Sequence, residues 1–176
     1  ESETARLAAL VGNLLDMGRI DAGAMVVRIA PTALTDLVAA ALDRARPALA
    51  GRAIENAVGD QGLMVLADAG LAATAIGNLL DNAGKYAPAG STVRIEAYAQ
   101  DGNAVVAITD EGPGLPSPHD RLFERFERGV SGDGRPPGTG LGLSIARGFL
   151  LAQDGSVEAA NRADRVGARL TVRLPL

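Results

Sequence analysis

Between Ala75 and Tyr86 the chain reads AIGNLLDNAGKY, and its polar and apolar residues separate at helical spacing. At about 100° per residue, Ile76, Leu79, Leu80 and Ala83 share one face, while Asn78, Asp81, Asn82 and Lys85 share the other. Such a row is commonly a solvated helix face, with a lysine well placed near the negative helix end. Two asparagines four residues apart are nevertheless poor helix formers. Their carbonyls could ligate Mg²⁺ and Lys85 could contact a phosphate. Lys85 is the one lysine against sixteen arginines, a hint that arginine does not serve at this position.

A second group of residues closes the run VVAITDEGPG. Strand alternation puts Asp110 on the same face as Val106 and Ile108, the core face by their character. A carboxylate at the edge of a core needs a donor. An adenine amino group is a suitable one, and Gly112 and Gly114 would let the backbone approach a flat base. The same letters also read as an acidic turn opener followed by two turn glycines.

The third stretch, Gly138-Thr139-Gly140-Leu141-Gly142-Leu143, opens a helix. Glycines there expose free N–H groups at the positive dipole end, where phosphate binds. Its GxGxG spacing is not the dinucleotide fingerprint, and no GK[ST] follows to make a P-loop. A flexible linker is the plainer reading.

Taken in order, the three stretches make the chain similar to the catalytic, ATP-binding domain of sensor histidine kinases, part of the wider group that includes gyrase and the Hsp90 chaperones. NLLDNAGKYAP resembles the N box, DEGPGLP the first glycine box, LFERFERG the F box of the lid and GTGLGLSIA the second glycine box. The stretch LVGNLLDMGRIDAG is similar to KdpD-type potassium sensors. The resemblance implies that Asn82 helps hold Mg²⁺, that Asn78 and Lys85 meet the ATP phosphates, and that Tyr86 lines the nucleotide pocket. It gives Asp110 the adenine amino group, with Gly112 and Gly114 beside it. Phe123 and Phe126 anchor the lid, Arg125 or Arg128 reaches the phosphates, and Gly138, Thr139, Gly140, Leu141 and Gly142 cradle them. Asn78, Lys85 and Arg128 form the implied catalytic set.

Hydrolases of the same group carry a water-activating Glu where Asn78 stands. Without that base, water is a poor nucleophile and the site favours holding ATP for a stronger acceptor. The acceptor the resemblance implies is a histidine on a dimerisation hairpin. The sole histidine, His119, lies in the loop PSPHD and reads as an ordinary loop residue, so the acceptor helix is expected to precede Glu1. A response regulator with an acceptor Asp is implied as the next partner, with the intact protein a homodimer anchored in the inner membrane and this domain cytoplasmic. An ATPase or serine-directed anti-sigma kinase of the same fold is one alternative, and a non-catalytic nucleotide sensor another.

The elements that must position these residues follow from periodicity. Residues 4 to 21 read as a helix with Leu7, Leu10, Val11, Leu14, Met17 and Ile20 in a heptad-like stripe, stopped by Gly23. Met25 to Ile29 is strand-like, and Pro31 to about Ala50 is a helix with Pro in its first turn. Short strands follow near Ala53 to Val58 and Leu63 to Leu66, then a helix from about Asp68 to Tyr86. Thr92 to Tyr98 and Ala104 to Asp110 form a hairpin turning at Asp101-Gly102-Asn103. The Gly- and Pro-rich run from Glu111 to Gly138 is too long for an ordinary connector and has the length of a functional loop. Leu141 to Gln153 is a helix, and two strands end the chain. The expected fold is α+β, a two-layer sandwich with a mixed, mainly antiparallel sheet and helices on one face. Residues 1–23 are expected to be the end of a dimerisation helix and 24–176 the catalytic domain.

Composition sets the outer bounds. The 176 residues are 47% hydrophobic, enough for one full core. A net charge of -4 with scattered arginines leaves no footprint for nucleic acid. The absence of cysteine removes disulfides, thiolate zinc sites and thiol nucleophiles together. No apolar run approaches the roughly 18 residues that span a bilayer. From its acidic, Met-less beginning in mid-helix, the chain is expected to be a piece of something longer.

Overall fold

The fold was obtained as a computed structural model, which describes residues 11–12, 15, 18–20, 22–59, 61–117, 119–124 and 140–176. The described residues between 11 and 20 are helical and lead into a turn at Ala22-Gly23. Then come β1 (Ala30–Ala33), α1 (Leu34–Leu49), β2 (Ala53–Ala57), β3 (Met64–Ala67), α2 (Ala69–Tyr86), β4 (Thr92–Gln100), β5 (Asn103–Thr109), a 3₁₀ turn (His119–Phe123), α3 (Gly142–Leu151), β6 (Ser156–Asn161) and β7 (Ala168–Pro175).

Five strands form the main sheet in the order β2-β4-β5-β7-β6, with β2 parallel to β4 and every other pair antiparallel. Its two faces differ as strand alternation requires. Val93 and Ile95 of β4, Val106 and Ile108 of β5, and Leu170, Val172 and Leu174 of β7 join one core with Leu37, Ile76, Leu79, Leu80, Ile145 and Leu150 of the helices. The register sets Arg94, Glu96, Thr171 and Arg173 on the other face around Val105 and Ala107. There Arg94 pairs with Glu96 at 2.9 Å, and the stems of these long side chains help to cover the two small residues. This is the two-layer arrangement expected, helices on one side and charged side chains on the other.

Two boundaries differ from the sequence reading. Residues 24–29 form no strand; the strand is Ala30–Ala33, paired antiparallel with β3 from Ala30↔Ala67 to Ala33↔Met64. Pro31 therefore lies in a strand rather than in the first turn of α1. A two-stranded edge tolerates a residue with no N–H to donate, and Leu34, the first helical residue, gives its N–H to the Leu63 carbonyl at 2.9 Å. The run from Met25 is held otherwise: Arg28 N–H donates to Asp68 Oδ2 at 2.9 Å.

That carboxylate also starts α2. Asp68 Oδ1 accepts from Gly70 N and Leu71 N at 3.0 and 3.1 Å, satisfying two of the N–H groups a helix start leaves open. Burial pulls the Asp68 pKa up, but the N–H groups of Arg28, Leu71 and Gly70 together outweigh it and leave it below the usual carboxylate value. Inside the bundle, a Cβ on Gly84 would stand 2.5 Å from the Ala48 carbonyl oxygen, so glycine is what allows α1 and α2 to touch. At the β4–β5 turn, Asp101 and Gly102 have φ of 50° and 75°, the two-residue pattern whose twist suits a hairpin.

Candidate functional site

The polar row of α2 keeps its expected place. Ile76, Leu79, Leu80 and Ala83 are wholly buried, Asn78, Asp81 and Asn82 are half-buried, and Lys85 is exposed. Lys85 Nζ lies 2.5 Å from Asp81 Oδ2, one turn away. Asn78 Nδ2 donates to the Gly142 carbonyl at 3.2 Å, so the row meets the glycine-rich start of α3 directly.

That start is shaped for approach by a ligand. Gly140 has φ of 73°, a conformation that only glycine adopts without cost. Leu141 is buried as the anchor, its carbonyl accepting from Ile145 N–H and Ser144 Oγ. The N-cap residue, Leu141, has no side chain that can cap the helix, and a Cβ at Gly142 would meet nothing within 4 Å. The start of a helix carries the positive end of its dipole, which favours a negative group.

Asp110 sits one residue beyond β5 and is 4% exposed. Its Oδ1 accepts from Gly112 N at 2.8 Å and Ala168 N at 3.3 Å. Among the described residues nothing donates to Oδ2, which is also not sealed off from solvent. Burial raises the Asp110 pKa, opposed by the two N–H groups and by the nearby Arg162 charge. A carboxylate with one oxygen fixed and the other open is a ready acceptor for a ligand N–H. The donor deduced for this residue is thus supplied for Oδ1 by the protein and remains to be met at Oδ2.

The glycines after Asp110 have separate reasons to be glycine. A Cβ on Gly112 would lie 2.9 Å from Asp110 Oδ1 and 3.0 Å from the Tyr86 carbonyl oxygen, so the residue allows the end of α2 to close on the end of β5. Gly114 has φ of 84° and abuts Asn161. Tyr86 is half-buried at this junction. Phe123 is 7% exposed in the 3₁₀ turn, with the Arg147 guanidinium 6.0 Å from its ring centroid. His119 is half-buried, with Nε2 3.4 Å from Asn161 Nδ2. Arg125, Phe126, Arg128, Gly138 and Thr139 lie outside the described residues.

Sequence reasoning missed the turn between β6 and β7. Asn161 clasps Leu115, accepting from its N–H at 2.6 Å and donating to its carbonyl at 3.1 Å. Arg162 Nη1 donates to the Asp110 carbonyl at 3.2 Å, and Arg165 reaches Glu111 at 3.4 Å. The run NRADR was passed over as a hairpin turn, although two arginines flanking an aspartate were its signal. An open cavity of about 490 Å³ lies between this turn, Pro113 and Gly114. Its lining does not include the polar row of α2, which is tied to the glycine-rich stretches by the Asn78–Gly142 and Gly112–Tyr86 contacts.

Among the described residues, no group of three or more His, Cys, Asp or Glu could hold an ion. Asn78, Asp81 and Asn82 all present side-chain oxygens on the half-buried row of α2.

Residues 67–176 match the family described as histidine kinase-, DNA gyrase B-, and HSP90-like ATPase. The solved structure of the mycobacterial sensor histidine kinase MprB superposes with a TM-score of 0.74 at 32% identity, covering 83% of this chain and 97% of that one. The chain belongs to this family. Within it the chain is an ATP-binding catalytic domain of the sensor histidine kinase type. The sensor protein KdpD of Mycobacterium tuberculosis is 36% identical over 181 residues, spanning all of this chain and 20% of the relative. The likeness to KdpD-type sensors read from LVGNLLDMGRIDAG is thus found in the comparison as well. Full-length ShkA in complex with AMPPNP superposes at a TM-score of 0.80 and 28% identity, over 97% of this chain and 36% of that one. The chain therefore spans about a fifth of the length of the curated relative. No helix among the described residues is long and apolar enough to cross a membrane.

Proposed function

We propose that this domain holds Mg-ATP between α2, the end of β5 and the start of α3, and presents its γ-phosphoryl group to a histidine on a dimerisation hairpin outside the chain. The observation that carries the reading is Asp110: a buried carboxylate with one oxygen fixed by two N–H groups and the other free to accept, as the amino group of adenine requires. Gly112 and Gly114 let the chain beside Asp110 pack closely on Tyr86 and Asn161, which holds the carboxylate in place for the base, and Tyr86 lines the same junction.

Asn78 and Lys85 meet the phosphates, and the backbone of Gly140, Leu141 and Gly142 cradles them at the start of α3. Phe126, Arg128, Gly138 and Thr139 keep the roles their motifs imply. Asn82 holds Mg²⁺, which when bound neutralises phosphate charge. The domain contributes positioning and electrostatics rather than a covalent step. Asn78 is an amide that already donates to Gly142, so it does not act as a base toward water. That favours phosphoryl transfer over hydrolysis. The nucleotide named with ShkA, AMPPNP, supports an ATP-shaped ligand for the fold.

In the intact protein, residues 1–23 belong to the dimerisation hairpin and 24–176 form the catalytic domain. The phosphoryl group passes onward to an Asp of a response regulator, and the protein is a homodimer anchored in the inner membrane. The test is γ-labelled ATP with the purified chain, alone and with a separately made hairpin bearing its histidine. The expected result is no label and slow hydrolysis alone, and acid-labile, base-stable phosphohistidine on the added hairpin, formed slowly because the tether is missing. Label on His119, or brisk hydrolysis by the chain alone, would overturn the reading.

A further inference from the structure

The turn joining β6 to β7 is built around a guanidinium that serves the neighbouring carboxylate. The Arg162 side chain is only 14% exposed. Asp164 grips it from both sides, Oδ1 accepting from Nε at 3.0 Å and Oδ2 from Nη2 at 2.8 Å. The same Asp164 Oδ2 takes Arg165 Nε at 3.0 Å. This two-point hold leaves Nη1 directed at the Asp110 carbonyl, 3.2 Å away. The backbone is fitted around the contact: Arg162 N–H donates to Gly167 O at 3.0 Å, and a Cβ on Gly167 would stand 2.1 Å from the Asp110 carbonyl oxygen and 2.7 Å from Arg162 Cδ. No side chain other than hydrogen fits there.

The geometry points to Arg162 as a positioning residue for base recognition, one that aims the Asp110 carboxylate without touching the nucleotide. This rests on the reading of Asp110 as the acceptor for the adenine amino group. The path is short and covalently defined. Nη1 fixes the carbonyl of Asp110, and with it the plane of the peptide that leads into Glu111. Glu111 is held on both sides, Oε2 accepting from Thr92 N at 3.0 Å and Oε1 facing Arg165 Nη1 at 3.4 Å. With both constraints in place, Gly112 N–H points back at Asp110 Oδ1. Fixing Oδ1 fixes where Oδ2 looks, and Oδ2 is the oxygen left for the base. Freeing the Asp110 carbonyl lets that peptide rotate, which loosens the Gly112 donor and blurs the direction of Oδ2.

Selectivity between ATP and ITP separates this role from a merely structural one, because ITP carries a carbonyl where ATP carries the amino group. Affinities for both nucleotides are measured by calorimetry on the chain and on Arg162→Gln, Arg162→Lys, Asp164→Asn, Asp110→Asn and the Arg162→Gln/Asp110→Asn double variant. Melting temperatures are taken alongside. Arg162→Gln is expected to weaken ATP about fivefold while moving ITP less than about twofold, the size of one net hydrogen bond. Arg162→Lys, which keeps the charge but not the two-point hold on Asp164, falls in between. Asp164→Asn moves selectivity in the same direction by less, and because it lies on the surface it decides the matter if Arg162→Gln does not fold. In the Asp110→Asn background the Arg162 substitution adds nothing, since its route runs through that carboxylate. Equal loss of ATP and ITP affinity, or an undiminished Arg162 effect once Asp110 is replaced, overturns the inference and leaves the base-recognition reading standing. If Asp110→Asn leaves selectivity unchanged, both fall together.

Discussion

A Cβ on Gly112 would lie 3.0 Å from the carbonyl oxygen of Tyr86, so the last turn of α2 and the end of β5 meet across a residue that has no side chain. The contact sets the distance between the polar row of one element and the carboxylate of the other. Gly112→Ala must push one of them away. ATP affinity should fall at least tenfold, with destabilisation of about 1–3 kcal/mol, the usual cost of overpacking. Calorimetry and thermal melts measure the two effects, and unchanged values for both would show that the junction yields freely.

Asp110→Asn separates binding from stability. The Asp110 pKa is raised in the folded protein, so the folded state holds this proton more tightly than the unfolded chain does. Stability from that protonation is present at low pH and is lost as pH rises through the folded pKa. At neutral pH the ionised group costs stability. The asparagine variant should therefore melt no lower than the parent at pH 7, while binding ATP more than tenfold more weakly. For the parent, ATP affinity should decline as pH falls toward the raised pKa. A lower melting temperature combined with unchanged affinity would reverse the assignment from ligand acceptor to structural group.

Asp68 has the opposite sign. Its pKa lies below the usual value because N–H groups outweigh burial, so its contribution is full above the unfolded pKa and is lost as pH falls through the folded one. Asp68→Ala removes the α2 cap and the Arg28 contact together, and should cost about 1–2 kcal/mol at pH 7. Denaturant titrations at pH 7 and near pH 3 should show the difference between parent and variant shrinking in acid. A constant difference would mean that the carboxylate charge is not what caps the helix.

Ile20 of the leading helical residues packs against the core, and its Cδ1 lies 2.5 Å from the position of a Cβ on Gly148. Deleting residues 1–22 uncovers that spot on α3. Loss of about 1–2 kcal/mol is expected, the worth of one partly buried aliphatic side chain. ATP affinity should stay within about twofold, because Gly140 to Gly142 lie at the other end of α3. Calorimetry on the truncated chain would refute the proposed boundary at residue 24 if binding disappeared while the fold survived.

What the sequence disclosed and what it hid follow from the range of the forces involved. The α2 row, the β4–β5 hairpin and the burial of Asp110 are readable because periodicity and alternation are local properties of the chain. Pro31 misled because a proline suits either a helix start or a strand edge, and the ladder to β3, some thirty residues away, decides between them. The role of Arg162 was hidden for the same reason: its partner Asp110 is 52 residues distant, and nothing in NRADR reports that separation. Gly112 was marked as a close-approach glycine, but only the structure names Tyr86 as what approaches.

The single parallel pair in the sheet also bears on the order in which the domain assembles. The β4–β5 hairpin closes through two residues at little entropic cost, whereas β2 reaches β4 only after β3 and all of α2 have been placed between them. All five residues of β2 remain exposed even in the finished fold. This edge is therefore expected to join last and leave first, so that partial unfolding should begin away from the β5–β7 pair that leads into Asp110. Mild thermal or chemical stress should strip the sheet from the β2 side while the nucleotide end is still intact.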